Sequence, residues 1–221
     1  MCIYSDMINL KFVTKRLFDI FFSIFVSIFA VPVLAIAMLV IKICSPEDSV
    51  VFKQKRIGFR CKEFTIFKLR TMINKKDSKG MLLPDEKRLK IWGIIIRKLS
   101  IDELLQIVNI FAGQMSWIGP RPLLPREMLV MTKEEQRERQ SFLPGITGWE
   151  AVNEEKTYSR RLMAEYDLYY VKNWSYKLDV KIFFKTIKKL FVADRSDDVH
   201  RAPKLKEEEL KTSEIVNEVI K

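Results

Sequence analysis

The sequence predicts a helix-rich α+β protein. A membrane-embedded, re-entrant N-terminal helix is followed by a compact cytoplasmic domain with a small β-hairpin and amphipathic interfacial helices. Three observations carry this reading. Ile20 to Ile41 is a run of 22 residues without a formal charge. Val50 to Lys68 alternates around a turn at Gly58, the pattern of a hairpin. Residues 158–192 repeat apolar side chains at helical spacing. The expected divisions are an N-terminal membrane segment (1–45), a folded domain (46–193) and a polar tail (194–221).

As a straight helix the uncharged run reaches roughly 33 Å, about one hydrocarbon thickness. By composition alone it reads as a single-pass anchor. Its length, with no small-residue cleavage site after it, argues against a cleaved signal peptide. Two details favour a hairpin. Pro32, near mid-run, removes a helix hydrogen bond and bends the axis, with Ser27 placed to satisfy a freed backbone group. Basic residues flank both ends, Lys11, Lys15 and Arg16 before and Lys42, Lys53, Lys55 and Arg56 after, so the positive-inside rule selects no orientation. A segment entering and leaving the same cytoplasmic leaflet accounts for both flanks; a spanning helix kinked at Pro32 accounts for the proline. Both readings stay open, and Lys15, Arg16, Ser27 and Pro32 are the candidate anchor residues.

The strands of the hairpin are expected at 50–54 and 63–68. Residues 74–90 are polar and basic, a loop or short helix, and residues 91–96 are apolar. Ser100 with Glu103 three residues on forms a capping box, which predicts a helix from about Ile101 to Phe111 ending near Gly113. Residues 133–141 are a charged helix, and residues 144–148 are a turn cluster. Leu178, Ile182, Phe183, Ile187 and Leu190 fall on one face of a lysine-rich helix. That face suits a membrane surface and a domain core equally. After Ala193 the chain is polar, an exposed helical or disordered tail.

Charge and composition narrow the chemistry. The formal charge is +11, and residues 194–221 hold six basic and eight acidic residues, so residues 1–193 carry +13. A basic body suits an anionic partner. No basic stripe with interleaved aromatics or recognised module supports nucleic acid as that partner. The sole histidine, His200, lies in the tail, which excludes most zinc sites and a Ser-His triad in the body. Cys2, Cys44 and Cys61 form no close pair, which argues for a reducing compartment. No phosphate-binding glycine loop is present.

Proton and phosphoryl chemistry then falls to carboxylates and arginines. The segment from Arg97 to Pro122 sets the adjacent pair Asp102-Glu103 between Arg97 and Arg121. An aspartate can attack phosphorus and form an acyl-phosphate, helped by a divalent cation on one or two carboxylates. Arginine forks grip phosphate oxygens. Asp102, Glu103, Arg97, Arg70 and Arg121 supply that inventory. The same acidic pair could simply complement a helix N-terminus. A membrane-tethered protein that binds acidic lipids or partner proteins without chemistry is the rival reading.

The order and spacing of the motifs resemble the bacterial sugar transferase family, the small monotopic phosphoglycosyl transferases. The resemblance runs from about Lys15 to Thr186. It begins with Lys15-Arg16-Leu17-Phe18-Asp19, then Val51-Phe52-Lys53-Gln54-Lys55-Arg56-Ile57-Gly58 and Phe67-Lys68-Leu69-Arg70-Thr71-Met72. It continues through Arg97 to Gln106, Asn109, Gly113-Gln114-Met115-Ser116, Gly119-Pro120-Arg121-Pro122 and Pro144-Gly145-Ile146-Thr147-Gly148, and ends with Asn173-Trp174-Ser175, Asp179 and Thr186. The chain departs from the family pattern at Leu105 (Pro), Leu143 (Arg), Cys61 (Gly) and Trp149 to Glu154.

The resemblance implies a catalytic domain facing the cytoplasm from the inner membrane of a bacterium. It implies transfer of a sugar-1-phosphate from a UDP-sugar to polyprenyl (undecaprenyl) phosphate, releasing UMP. This would be the first membrane step of polysaccharide or glycoconjugate synthesis, upstream of further glycosyltransferases. Asp102 would be the nucleophile and Glu103 its partner, with Mg²⁺ or Mn²⁺ on the pair. Arg97, Arg121, Arg70 and Lys68 would meet substrate phosphates. Gln106, Asn109, Pro120 and Thr147 are further candidate substrate contacts.

Overall fold

The computed structural model describes residues 2–153 and 159–192. The expected tail at 194–221, with His200, and the departure at Glu154 lie outside the described residues. Helix α1 (Cys2–Cys44) runs without interruption through Pro32. Hairpin strands β1 (Val51–Ile57) and β2 (Glu63–Leu69) follow, then short helix α2 (Asp85–Arg88) and α3 (Ile91–Lys98). A 3-10 turn (Ile101–Gln106) leads into α4 (Ile107–Phe111). Strand β3 (Ser116–Ile118), a further 3-10 turn (Pro125–Val130), α5 (Lys133–Arg139), β4 (Gly145–Thr147) and α6 (Trp149–Val152) come next. Helices α7 (Arg160–Lys172) and α8 (Tyr176–Val192) complete the described fold.

α1 is both anchor and core wall. Lys15, Asp19, Ser23, Ala30, Ala37 and Ile41 are buried in one stripe at helical spacing. The other faces expose Phe18, Phe21, Phe25, Ile28, Ile36 and Ile43, as a helix with lipid on most sides would. The N-terminal half is fixed by polar bonds. Lys15 Nζ lies 2.6 Å from Asp179. Arg16 donates to the carbonyls of Ile110 and, at 3.1 Å, Met115, which ties α1 to α4 and to the loop after it. Asp19 accepts from Ser116 Oγ at 3.0 Å and Trp117 N at 3.1 Å. Trp117 Nε1 donates to Ser23 Oγ at 2.9 Å. The C-terminal half packs Ala37 and Ile41 against Leu69 and Ile96.

Ser27 behaves differently from expectation. Its hydroxyl donates to Ser23 O at 2.7 Å, one turn back. The carbonyl that Pro32 leaves without an N–H belongs to Ile28, which a hydroxyl on Ser27 does not serve. Back-bonding of this kind bends helices slightly.

The hairpin is antiparallel, from Val51↔Leu69 to Ile57↔Glu63. At its tip Arg60 (φ 54°) and Cys61 (φ 57°) are both left-handed. A side chain there costs about 1–2 kcal/mol, offset in part by the backbone entropy that glycine carries. Cys61→Gly should therefore raise stability by about 0.5–1 kcal/mol, read as a higher thermal midpoint in matched detergent. An unchanged or lower midpoint would refute the strain.

The cluster at 144–148, expected as a turn, holds strand β4. It pairs parallel with β3 through Ser116↔Gly145 and Ile118↔Thr147. Glycine makes this possible: a Cβ on Gly119 would collide with Leu143 O, and one on Gly148 with Gly119 O. The two motifs thus fold as one unit. α5 opens with a capping box of Thr132 and Glu135. The ambiguous face of α8 turns inward at Leu178, Ile182 and Phe183 but leaves Leu190 exposed. Ile182 is fully buried with Ile118, Phe142 and Tyr170, with Leu178 and Phe183 packed around them. Val180 and Phe184 point outward instead.

Candidate active site

Asp102 and Glu103 lie on the 3-10 turn before α4, not in the single α-helix expected. Ser100 is left-handed (φ 53°), and its side chain makes no cap bond. The capping box is absent because Glu103 is engaged elsewhere: its carboxylate meets Lys68 Nζ at 2.6 Å. The Ser100 N–H that the box would use also donates elsewhere, to Arg97 O at 2.9 Å. Ser100 keeps a backbone contact, accepting from Glu103 N at 3.2 Å.

The turn is seated by Ile101 and Leu105, which pack with Leu69, Ile96 and Ile41. That seat joins α1, β2 and α3 beneath the acidic pair. Asp102 is pushed up to about 6, first by burial and then by the adjacent Glu103 charge, against the pull of Lys68 and Arg97. Two carboxylates side by side with two cations around them resist holding two full negative charges. Arg97 is half-buried and held by a bond from its Nε to Thr71 Oγ1 at 2.8 Å. Burial lowers its pKa and the Asp102 charge raises it, so the guanidinium sits within the field of the aspartate.

The structure therefore brings together Asp102, Glu103, Lys68 and Arg97. Arg70 turns away, donating to Ser49 O at 2.5 Å and Asn74 Oδ1 at 3.0 Å. Arg121 is exposed on the loop at 119–122. Gln106 is buried. Asn109 is fully buried; it donates to Thr65 O and Gln114 Oε1 and accepts from Phe67 N, so it ties α4 to β2. Pro120 is buried, its carbonyl accepting from Gly145 N at 2.9 Å. Thr147 shares a hydroxyl bond with Thr186 on α8 at 2.8 Å. Asn109, Pro120 and Thr147 hold the frame together.

Two residues near the pair escaped the sequence reading. Thr71 orients Arg97, and its signal was its place just after β2 in the motif at 67–72. Arg56 counted as a basic flank and as part of the motif at 51–58, with no role at the site. Its guanidinium donates to Pro122 O at 3.1 Å and to Gln54 Oε1 at 2.7 Å, and it feels the charges of Glu127, Arg121 and Glu103. It ties the Arg121 loop to β1 and pairs with Glu127 at 3.5 Å.

Among the described residues no group of three or more His, Cys, Asp and Glu side chains is placed to hold a metal. Two carboxylates are too few for a closed protein site. They do fit magnesium, which keeps waters and takes the rest of its ligands from substrate phosphates.

The family model described as bacterial sugar transferase matches residues 10–193. The chain is 45% identical over 184 residues to the uncharacterized sugar transferase EpsL of Bacillus subtilis, covering 82% of this chain and 89% of that protein. It is 31% identical over 192 residues to the exopolysaccharide production protein ExoY of Sinorhizobium fredii, covering 79% and 84%. It is 34% identical over 187 residues to the UDP-glucose:undecaprenyl-phosphate glucose-1-phosphate transferase of Escherichia coli, covering 80% of this chain and 40% of that longer enzyme.

Proposed function

Because the chain belongs to the bacterial sugar transferase family, we propose that it moves a sugar-1-phosphate from a UDP-sugar to polyprenyl phosphate, by way of an adduct on Asp102. The observation that carries this reading is the half-buried Asp102-Glu103 pair flanked by Lys68 and Arg97. Asp102 attacks the phosphorus that bears the sugar; the bond to UMP breaks and UMP leaves. A phosphate oxygen of the lipid then attacks the same phosphorus and returns the Asp102 carboxylate. Glu103, held by Lys68, keeps an acidic oxygen beside the nucleophile. Arg97, fixed by Thr71, offers its remaining N–H groups to phosphate oxygens. Mg²⁺ bound by Asp102, Glu103 and the substrate phosphates would offset negative charge at the reacting phosphorus. UMP release from a panel of UDP-sugars, dependent on added polyprenyl phosphate, tests the reaction; no release with any of them overturns it.

The same proposal sets the protein on the cytoplasmic face of the inner membrane, on a re-entrant α1. Support comes from where α1 touches the domain. Lys15, Arg16, Asp19 and Ser23 contact it before Pro32, and Ala37 and Ile41 contact it after. A helix crossing roughly 30 Å of hydrocarbon would carry one of those contact sets to the far side. A helix dipping into one leaflet keeps both. The exposed Ile91, Ile95 and Leu99 around α3 add an apolar surface beside it, as in-plane helices have. Single cysteines near residues 5 and 50, in a background lacking Cys2, Cys44 and Cys61, should both resist impermeant label in intact cells. Labelling of the residue 5 site alone would establish a spanning anchor.

A further inference from the structure

The segment at 119–123 carries Arg121 and is bonded along its whole backbone. Gly119 N donates to Thr147 O at 3.0 Å, Pro120 O accepts from Gly145 N at 2.9 Å, and Leu123 O accepts from Ile57 N at 2.8 Å. Pro122 O accepts from Arg56 at 3.1 Å. The remaining residue, Arg121, is gripped by a buried ion pair. Its N–H donates to the Asp167 carboxylate at 3.3 Å and 3.4 Å. Its C=O accepts from Arg139 at 2.5 Å. Arg139 Nε in turn donates to Asp167 at 3.1 Å, and a second Arg139–Asp167 bond closes the pair.

We infer that Arg139 and Asp167 are positioning residues that hold the Arg121 backbone through both its N–H and its C=O and so aim its guanidinium at a substrate phosphate. This rests on the reading of Arg121 as a phosphate ligand given above. Arg139 on α5 is fully buried, and Asp167 on α7 is 1% exposed. A buried ion pair is a poor stabiliser compared with apolar packing of the same volume. Here it is costly: burial and the nearby Glu150 on α6 push Asp167 up to about 6 despite Arg139. Apolar side chains could fill the space between α5 and α7. They could not present an acceptor to the N–H and a donor to the C=O of one residue. Arg139 also bonds Gln140 Oε1 at 3.1 Å, which further fixes its plane.

The test is a double-mutant cycle with Arg139→Lys and Arg121→Ala. The lysine would keep the charge beside Asp167 but lose the planar fork that reaches the Arg121 carbonyl as well. Arg139→Lys should lower kcat/KM about tenfold, with the same division between kcat and KM as Arg121→Ala. In the Arg121→Ala background the further loss should be under about twofold, the mark of coupled sites. A tenfold loss in both backgrounds would overturn the inference, since a smaller folded fraction acts whether or not Arg121 is present. Full activity of Arg121→Ala alone would instead refute the phosphate role of Arg121. Asp167→Asn, which keeps an acceptor for the Arg121 N–H, replaces Arg139→Lys if that variant does not fold. In the unaltered protein the Arg121 amide should exchange slowly with deuterium; exchange at the rate of an open loop would overturn the clamp.

Discussion

Asp102→Asn should reduce turnover to background, a loss on the order of 10⁴-fold or more for a residue that forms the covalent bond. The substitution keeps the shape and removes the attacking charge. Mass spectrometry of a quenched wild-type reaction should find a sugar-phosphate adduct on Asp102, absent from the variant. Near-normal turnover of the variant would sink the assignment.

The same variant should be more stable than the wild type when metal-free, in a defined pH window. Asp102 is raised from 3.8 to about 6 in the folded protein. Below about pH 3 the carboxyl is neutral folded and unfolded, and the two proteins should match. As pH rises towards 6 the unfolded chain ionises first, and the folded wild type loses relative stability. Above that the difference should level off at about 1–2 kcal/mol, less than the full shift implies because the site is partly solvated. Thermal midpoints of both proteins, followed from acid to mildly alkaline pH, measure it. A gap that is constant with pH would show that Asp102 is not the strained group.

Removal of divalent cations should abolish activity, and Mg²⁺ or Mn²⁺ should restore it. With two carboxylates and no larger cluster of ligands among the described residues, the metal depends on the substrate for its remaining oxygens. Binding should therefore tighten when UDP-sugar is present. Zinc should restore little, since the pair offers neither the nitrogen nor the sulfur ligands it favours. Full turnover after exhaustive chelation would refute a metal role.

Much of this architecture was legible where a signal is local. The hairpin from Val51 to Leu69 follows from period-two alternation around Gly58. α5 follows from its charge pattern, and α7 and α8 from the helical spacing over 158–192, whereas α3 showed only as an apolar stretch. The acidic pair stood out because Asp102 and Glu103 are adjacent between arginines. What escaped was non-local. Strand β4 reads as a turn because Gly145 and Gly148 signal flexibility, whereas here they permit contact with Gly119. The capping box at Ser100 failed because Lys68, distant in sequence, claims Glu103. Periodicity located the apolar face of α8 without saying what covers it; Ile118 and Phe142 do. The charge on Arg56 was visible, but its link to Pro122 depends on how the hairpin meets the Arg121 loop.

The bonding of α1 has a consequence for what counts as a separable part. Beginning the chain at Pro46 would not release a soluble catalytic fragment. Asp179 would lose Lys15, and the carbonyls of Ile110 and Met115 would lose Arg16. Ser116 and Trp117 would lose Asp19. The layer beneath the acidic turn would lose Ala37 and Ile41. Insertion and folding are then thermodynamically linked: whatever solvates the outer face of α1 also stabilises the floor on which Asp102 rests. Lipid thickness and detergent choice should thus register in chemistry at the acidic pair, as an environmental input to the enzyme rather than a matter of handling.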